Sequence, residues 1–358
     1  MDIQVVSNKE EFAALKDEWN ELLSRSSTKH IFLTHEWQYT WWEHFGTRDE
    51  DLLILLVRDG GRLVGIAPLR RDVLRVRGVP LLKVITFLVG YEADYRDFLT
   101  QAGLEWDVLH QVFLHLRTNC DAWHLLSLTG IHGQSRTNEI VPIIARQGDM
   151  QHHGEMGAPC PFIPLSTNCD GFLSGMARST RRNAQSSLRK MEREMGEVSL
   201  EIRQGCQTTA VDIDDFLGLH AVSWQDRGGS RALSEARVTL FHRDLMAKTR
   251  DAGWLLFSML TVERVPCAVL YGYLYEGVFY DYLHGFSSAF NRYSPGTQII
   301  MKTVEYGMQE GWREFDLLRG DGDYKLRLTR RVRHSMRHLV ARSKRTARFV
   351  RLLEVVSR

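Results

Sequence analysis

His284 and Lys325 are the side chains of this chain best placed by type and spacing to do chemistry, and both fall in the segment 280–325, YDYLHGFSSAFNRYSPGTQIIMKTVEYGMQEGWREFDLLRGDGDYK. His284 can act as a general base, because its neutral imidazole is available near pH 7; a histidine simply packed among tyrosines fits the same pattern. Asp316 and Asp281 are alternative bases. Lys325 follows Arg319, Asp321 and Asp323 closely enough to share one polar cleft with them, or to form a surface ion pair with its own aspartates. Between these groups, Ser294, Pro295, Gly296, Thr297 and Gln298 start a helix, with Arg292 just ahead. Free N–H groups at Gly296 and Thr297, together with the positive end of a helix dipole, suit a phosphate or pyrophosphate. Ordinary capping by Ser294 accounts for the same residues.

The elements that must position these groups can be read locally. Residues 278–286 are rich in aromatic and branched side chains and alternate, which predicts a strand with Tyr280, Tyr282, His284 and Phe286 on one face. Pro295 fits a first helical position, and Ile299, Ile300, Thr303, Val304 and Met308 follow at helical spacing. Gly311 ends that helix and 314–318 reads as the next strand.

The motifs YSPG, a helix ending in EG, FDLLRG and DGDYK resemble the C-terminal signature of GNAT-like acyltransferases in the cellulose-biosynthesis CelD and BioF2-like group, distant relatives of the FemAB aminoacyl transferases. Upstream, FLTHEWQYTWWEHFG, GIAPL, GYEADYRDFL, SGMARSTRRNAQSSLRKME and HAVSWQDRGG resemble the same group in its usual order, so the resemblance spans roughly residues 32–328. It implies an acyl-CoA donor bound near 294–298 and no metal. It also implies a lysine, Lys325, that offsets negative charge on the transferred carbonyl, and an acceptor contacted by Asp94, Tyr95 and Asp97; Arg319, Asp321 and Asp323, close in sequence to Lys325, are expected as further substrate contacts.

Acyl transfer requires a bound donor, a group that takes the acceptor's proton and donors for the oxyanion. No GxSxG elbow is present and no cysteine stands in a nucleophile motif, which favours direct transfer over an acyl-enzyme. Cys120, Cys160, Cys169, Cys206 and Cys267 are odd in number and lack a CxxC pair, which argues against a disulfide framework or structural zinc. His152 and His153 lack the companions of a metal site.

With 358 residues and 44% hydrophobic content, the chain has room for about two domains with real cores. No apolar run approaches a membrane span, and MDIQVVSNKEEF lacks a signal-peptide pattern, so a cytoplasmic location is expected. Each half reads as helix, helix, hairpin, strand, helix, strand. The hairpin signals lie at Asp59-Gly60-Gly61 and at 263–266. The expected fold is therefore α/β (α+β layered), with two tandem GNAT-like domains, each a mixed, mostly antiparallel sheet flanked by helices. The expected boundaries are 1–150 for the first domain, 151–170 for a Gly- and Pro-rich linker, 171–328 for the domain carrying the donor site, and 329–358 for a basic helical tail.

Charge is unevenly placed. The tail 329–358 carries ten basic residues and one glutamate, net +9, while the remaining 36 basic and 43 acidic residues leave −7. An imperfect amphipathic helix there would suit an anionic membrane surface or pack on its own acidic body. Arg178, Arg181, Arg182, Arg189, Lys190 and Arg193 crowd a predicted helix over 171–196, as a solvated face or toward an anionic ligand. The resulting expectation is an acyl-CoA-dependent transferase acting on an amine or hydroxyl of a sugar or cell-envelope precursor. Aminoacyl transfer from a charged tRNA is the alternative that would bring in nucleic acid. A catalytically silent subunit of a polysaccharide-synthesis complex is the alternative outside enzymes.

Overall fold

The computed structural model describes residues 1–118, 123–165, 172, 175–225 and 235–356. Cys120, Cys169 and the end of HAVSWQDRGG lie outside them. Two compact units result, one from Met1–Ala158 with His334–Arg358 and one from Pro159–Arg333.

The first unit opens with β1 (Asp2–Val6), α1 (Lys9–Ala14), α2 (Lys16–Arg25) and α3 (His35–Phe45). It continues through β2 (Leu52–Asp59), β3 (Arg62–Val76), β4 (Val79–Phe87), β5 (Leu99–Thr100), α4 (Glu105–Thr118), β6 (Leu125–His132) and α5 (Thr137–Gln147) into β7 (Gln151–Pro164). The second unit takes the end of β7, then α6 (Arg178–Met195), β8 (Val198–Gln204), α7 (Ala210–Gln225) and α8 (Ala236–Asp251). It is completed by β9 (Leu255–Val262), β10 (Val265–Tyr275), β11 (Val278–Phe286), α9 (Pro295–Gln309), β12 (Glu314–Asp316) and α10 (Asp323–Leu328). The chain then returns to the first unit through β13 (Val332–Ala341) and α11 (Lys344–Val356).

Within the first unit the strand order is β1-β2-β3-β4-β6-β13 followed by the first half of β7; within the second it is the end of β7, then β12-β11-β10-β9-β8. Among the described residues, the registered pairs of each unit are antiparallel except for one parallel pair, β4 with β6 in the first and β11 with β12 in the second. The expected mixed, mostly antiparallel α/β architecture is therefore what both units adopt. The order helix, helix, hairpin, strand, helix, strand recurs as α2, α3, β2, β3, β4, α4, β6 and as α7, α8, β9, β10, β11, α9, β12. A helix crossing between two parallel strands is how such a pair must be joined. Alternation along β2 buries Leu53, Leu55 and Val57 against Val108, Val112 and Ile140 of α4 and α5. In the second unit Leu256, Leu260 and Leu270 meet Met191, Ile299, Ile300 and Val304 of α6 and α9.

Two expectations fail. The stretch 151–170, read as a linker, is largely a 14-residue strand. Its prolines do not break it because their carbonyls still accept: Pro159 from the Gly320 N–H at 2.9 Å and Pro161 from the Leu317 N–H at 3.0 Å. The tail read as one helix from 329 begins instead with β13, which pairs antiparallel with β6 from Ser335–His132 to Ala341–Leu125. An interior strand buries both faces, and Leu339, Val340 and Ala341 are all buried, so no helical stripe exists there. Only α11 remains helical. Among the described residues no helix is long and apolar enough to cross a membrane.

Candidate functional site

A β-bulge on β11 sets the geometry of the site. Tyr271 lies opposite Leu283, but its neighbour Gly272 lies opposite Asp281, so Tyr282 is an extra residue with no partner on β10. Beyond the bulge the alternation is reversed. Tyr282 joins Tyr271 and Tyr273, with ring centroids at 5.6 and 5.8 Å. His284 and Phe286 lie opposite Leu270 and Ala268, on the face that carries the second unit's core. The sequence expectation of one face for Tyr280, Tyr282, His284 and Phe286 is thus corrected: the bulge splits the set in two.

The same bulge brings Asp281 and His284, three residues apart, onto one face, where His284 Nε2–H donates to Asp281 Oδ1 at 2.6 Å. Asp281 is 3% exposed, and its Oδ2 is buried with no hydrogen-bond partner among the described residues. An acceptor-only carboxylate fixes the neutral ring as the Nε2–H tautomer and leaves Nδ1 as the basic nitrogen. The His284 backbone is clamped as well: its carbonyl accepts from His220 Nδ1 of α7 at 2.6 Å. Gly285 permits this approach of α7, since a Cβ there would lie 2.6 Å from the His220 backbone nitrogen. The Tyr324 ring of α10 stands edge-on to His284 with centroids 6.2 Å apart.

At the start of α9, Ser294 adopts a left-handed φ of 54° and makes no side-chain cap. Its carbonyl accepts instead from the Thr297 N–H at 3.0 Å and the Gln298 N–H at 3.1 Å. Capping by Ser294 and a free Thr297 N–H are both corrected by this tight turn, and among the described residues the Gly296 N–H is left without an acceptor. The Phe286 ring lies 3.6 Å from where a Gly296 Cβ would sit, so that end of α9 abuts the His284 face of β11. Gln298 points inward, donating from Nε2 to the Ala184 carbonyl at 2.7 Å and tying α9 to α6. Arg292 is 60% exposed and stacks its guanidinium 4.7 Å from the Tyr293 ring. No acidic residue stands in the first turn of α9, whereas α4, at the same place in the first unit, begins with Glu105 and Asp107. Of the two helix starts, only that of α9 suits an anion.

β11 and β12 pair for three residues, Val278 to Tyr280 with Glu314 to Asp316, and then part as β12 ends. The chain turns through Leu318 at φ 59° and Gly320 at φ 125° into α10. Lys325 Nζ closes this turn, donating to the Arg319 carbonyl at 2.7 Å and the Leu318 carbonyl at 3.4 Å. It forms no ion pair with Asp321 or Asp323; Asp323 lies 3.4 Å from Arg327 instead. Asp316 is buried, and its Oδ1 accepts from the Leu318 N–H at 2.8 Å, which makes it a brace of the turn. Burial, then the charge of Asp316, holds the Tyr280 phenol well above its usual range.

In the first unit the acidic-aromatic segment folds inward. Tyr95 packs between His30 and His132, at 5.6 and 4.9 Å. Asp97 is 1% exposed and accepts from the Thr137 hydroxyl at 2.6 Å and the Phe98 N–H at 2.9 Å. Burial pushes its carboxyl up to about 6, against the lowering by Ser135 and Thr137. Asp94 is buried too.

The second unit therefore gathers Asp281, His284, Phe286 and Tyr324 beside the Gly296 N–H and the turn held by Lys325. Tyr324 and the pairing of Asp281 with His284 escaped the sequence reading, because residues three apart on a regular strand face opposite sides and nothing in the sequence marks the bulge.

No curated protein matches the chain in sequence. In three dimensions it is similar to FemX, with a TM-score of 0.63 at 10% identity over 94% of this chain and 97% of that one. It is similar to the C-terminal domain of a putative lysylphosphatidylglycerol synthetase from Agrobacterium fabrum, with a TM-score of 0.57 at 13% identity over 96% and 97%. L-PGS from Bacillus licheniformis follows at 0.55 and 12% over 96% and 95%. At such identities the likeness is one of fold. In sequence, residues 178–326 match the model of the Acetyltransferase (GNAT) domain family, and the described site lies within that stretch.

Proposed function

We propose that the chain transfers an acyl group from a coenzyme A thioester directly to an amine or hydroxyl, with donor and base both in the second unit. The pairing of Asp281 with His284, on the face of β11 that abuts the start of α9, is the observation that carries this reading. The acceptor nitrogen or oxygen bonds to the acyl carbon, the carbon–sulfur bond breaks, and coenzyme A leaves as its thiolate. The acceptor's proton passes to His284 Nδ1, while Nε2–H stays hydrogen-bonded to Asp281 and holds the ring in place. The donor's pyrophosphate would take the Gly296 N–H and the positive end of α9, with Arg292 at its edge. Lys325, already spent on two carbonyls, holds the turn where β11 and β12 part and brings positive charge to the oxygen of the thioester. Cys267 is no competitor as nucleophile, since burial pushes its thiol up to about 11.

The motif resemblance supports the finer assignment to the CelD-like group, with a sugar or envelope precursor as acceptor and the reaction on the cytoplasmic side. A second reading, aminoacyl transfer from a charged tRNA, is favoured by α6, where Arg178, Arg182, Arg189, Lys190 and Arg193 are exposed. Thermal shift with coenzyme A, acetyl-CoA and longer acyl-CoAs separates the two. Stabilisation by the thioesters supports the first, and a response to aminoacylated tRNA alone overturns it.

A further inference from the structure

We infer that the first unit docks on an anionic lipid bilayer through one surface made by the β3–β4 hairpin tip and α11. Two elements far apart in sequence meet there. Leu74 and Leu82 of the hairpin share an apolar cluster with Leu339 of β13 and with Ala347, Phe349 and Val350 of α11. The cluster fixes both elements and leaves their other sides to solvent. On the hairpin, Arg77 at φ 50° and Gly78 at φ 81° form the tight turn, and Arg75, Arg77 and Lys83 are exposed. On α11, Lys344, Arg345, Arg348 and Arg351 are exposed. None of these seven cations has an ion-pair partner among the described residues. Asp72, the acid of this hairpin, lies 3.5 Å from Arg70.

Charge alone would suit any polyanion. The apolar residues set among the cations decide between them: Val79 is 57% exposed, Leu81 38% and Leu352 65%. Aliphatic side chains at a hairpin tip and a helix flank gain nothing from a sugar-phosphate backbone, but they enter the boundary between headgroups and acyl chains. No exposed aromatic ring stands among them to stack on a base. Cations beside protruding aliphatic residues match an anionic bilayer on both counts.

The test is flotation of the full-length protein with vesicles of pure phosphatidylcholine and of phosphatidylcholine with about 30% phosphatidylglycerol, the second carrying the negative surface potential that attracts clustered Lys and Arg. Binding to the anionic vesicles only, lost in high salt, is expected. Arg75→Glu with Arg77→Glu, and separately Arg345→Glu with Arg348→Glu, should each weaken partitioning about tenfold or more without moving the melting temperature. Val79→Ser should weaken it while leaving the salt dependence unchanged. Failure of the folded parent to bind anionic vesicles, binding unaffected by the hairpin pair, or tighter binding to single-stranded RNA than to vesicles would each overturn the proposal.

Discussion

His152 Nε2–H donates to His338 Nδ1 at 2.9 Å across β7 and β13, and the direction of this bond is fixed from the far end. Asn138 spends its Nδ2 on the carbonyls of His132 and Gly133, so its Oδ1 must accept from His338 Nε2–H, at 3.0 Å. His338, donating from Nε2 and accepting at Nδ1, is then neutral. Burial, with His152 adding to it, holds His338 down to about 4, and His152 is also lowered by burial, then by His153 and Arg146.

Acid should therefore unfold the first unit. His338 titrates near 6.5 when unfolded and near 4 when folded, so its contribution is complete above about pH 6.5 and is lost as pH falls toward 4. Urea midpoints measured between pH 7.5 and 4.5 should fall with pH, with His338 worth on the order of 3 kcal/mol over the range. His338→Gln should flatten the slope. A parent whose midpoint holds steady across the range contradicts the neutral His338.

His284→Ala should slow turnover by about 100-fold or more, the scale for losing a positioned base. Asp281→Asn should slow it too, because an amide can donate to the ring and no longer fixes the Nε2–H tautomer that leaves Nδ1 basic. If Asp281→Asn turns over at the parent rate while His284→Ala does not, Asp281 does not position His284.

Gly296→Asp should weaken acyl-CoA binding in calorimetry, by charge repulsion at the start of α9. Gly296→Ala is the control: the 3.6 Å clearance from Phe286 accommodates a methyl group, so binding should be retained. Equal affinity for the Asp variant and the parent would place the donor elsewhere.

Lys325→Ala should lower turnover by about 100-fold and also cost about 1–2 kcal/mol of stability, since its Nζ closes the turn at Leu318 and Arg319. Unchanged turnover with lowered stability would confine Lys325 to the turn.

Ending the chain at Leu328 should unfold the first unit, because that cut removes β13 and leaves β6 unpaired on one side. Ending it at Arg342 keeps the strand and removes α11. Circular dichroism melts of the two shortened proteins distinguish a lost strand from a lost surface.

The repeated element order and the helix start at Pro295 were legible because each has a local signal: turn residues, apolar period or a proline at the first helical position. The pairing of Asp281 with His284 was not, since a bulge is a property of two strands in register and leaves no mark on one of them. Gln298 looked like a ligand contact because helix starts expose polar groups, yet its amide completes a buried bond to the Ala184 carbonyl. The segment 332–341 resembled part of a basic helix because an interior strand with apolar residues on both faces loses its alternation. Asp94, Tyr95 and Asp97 were read as acceptor contacts, and their burial against His30, His132 and Thr137 is concealed by sequence distance.

Because β13 belongs to the first unit while residues 159–333 form the second, the order of synthesis differs from the order of completion. The second unit is whole once residue 333 has left the ribosome. The first, though begun earlier, lacks an interior strand until residue 341 follows. At about 5–20 residues per second, the open edge of β6 stays exposed for on the order of ten seconds or more. That edge is where a chaperone, or another nascent chain, would find this protein.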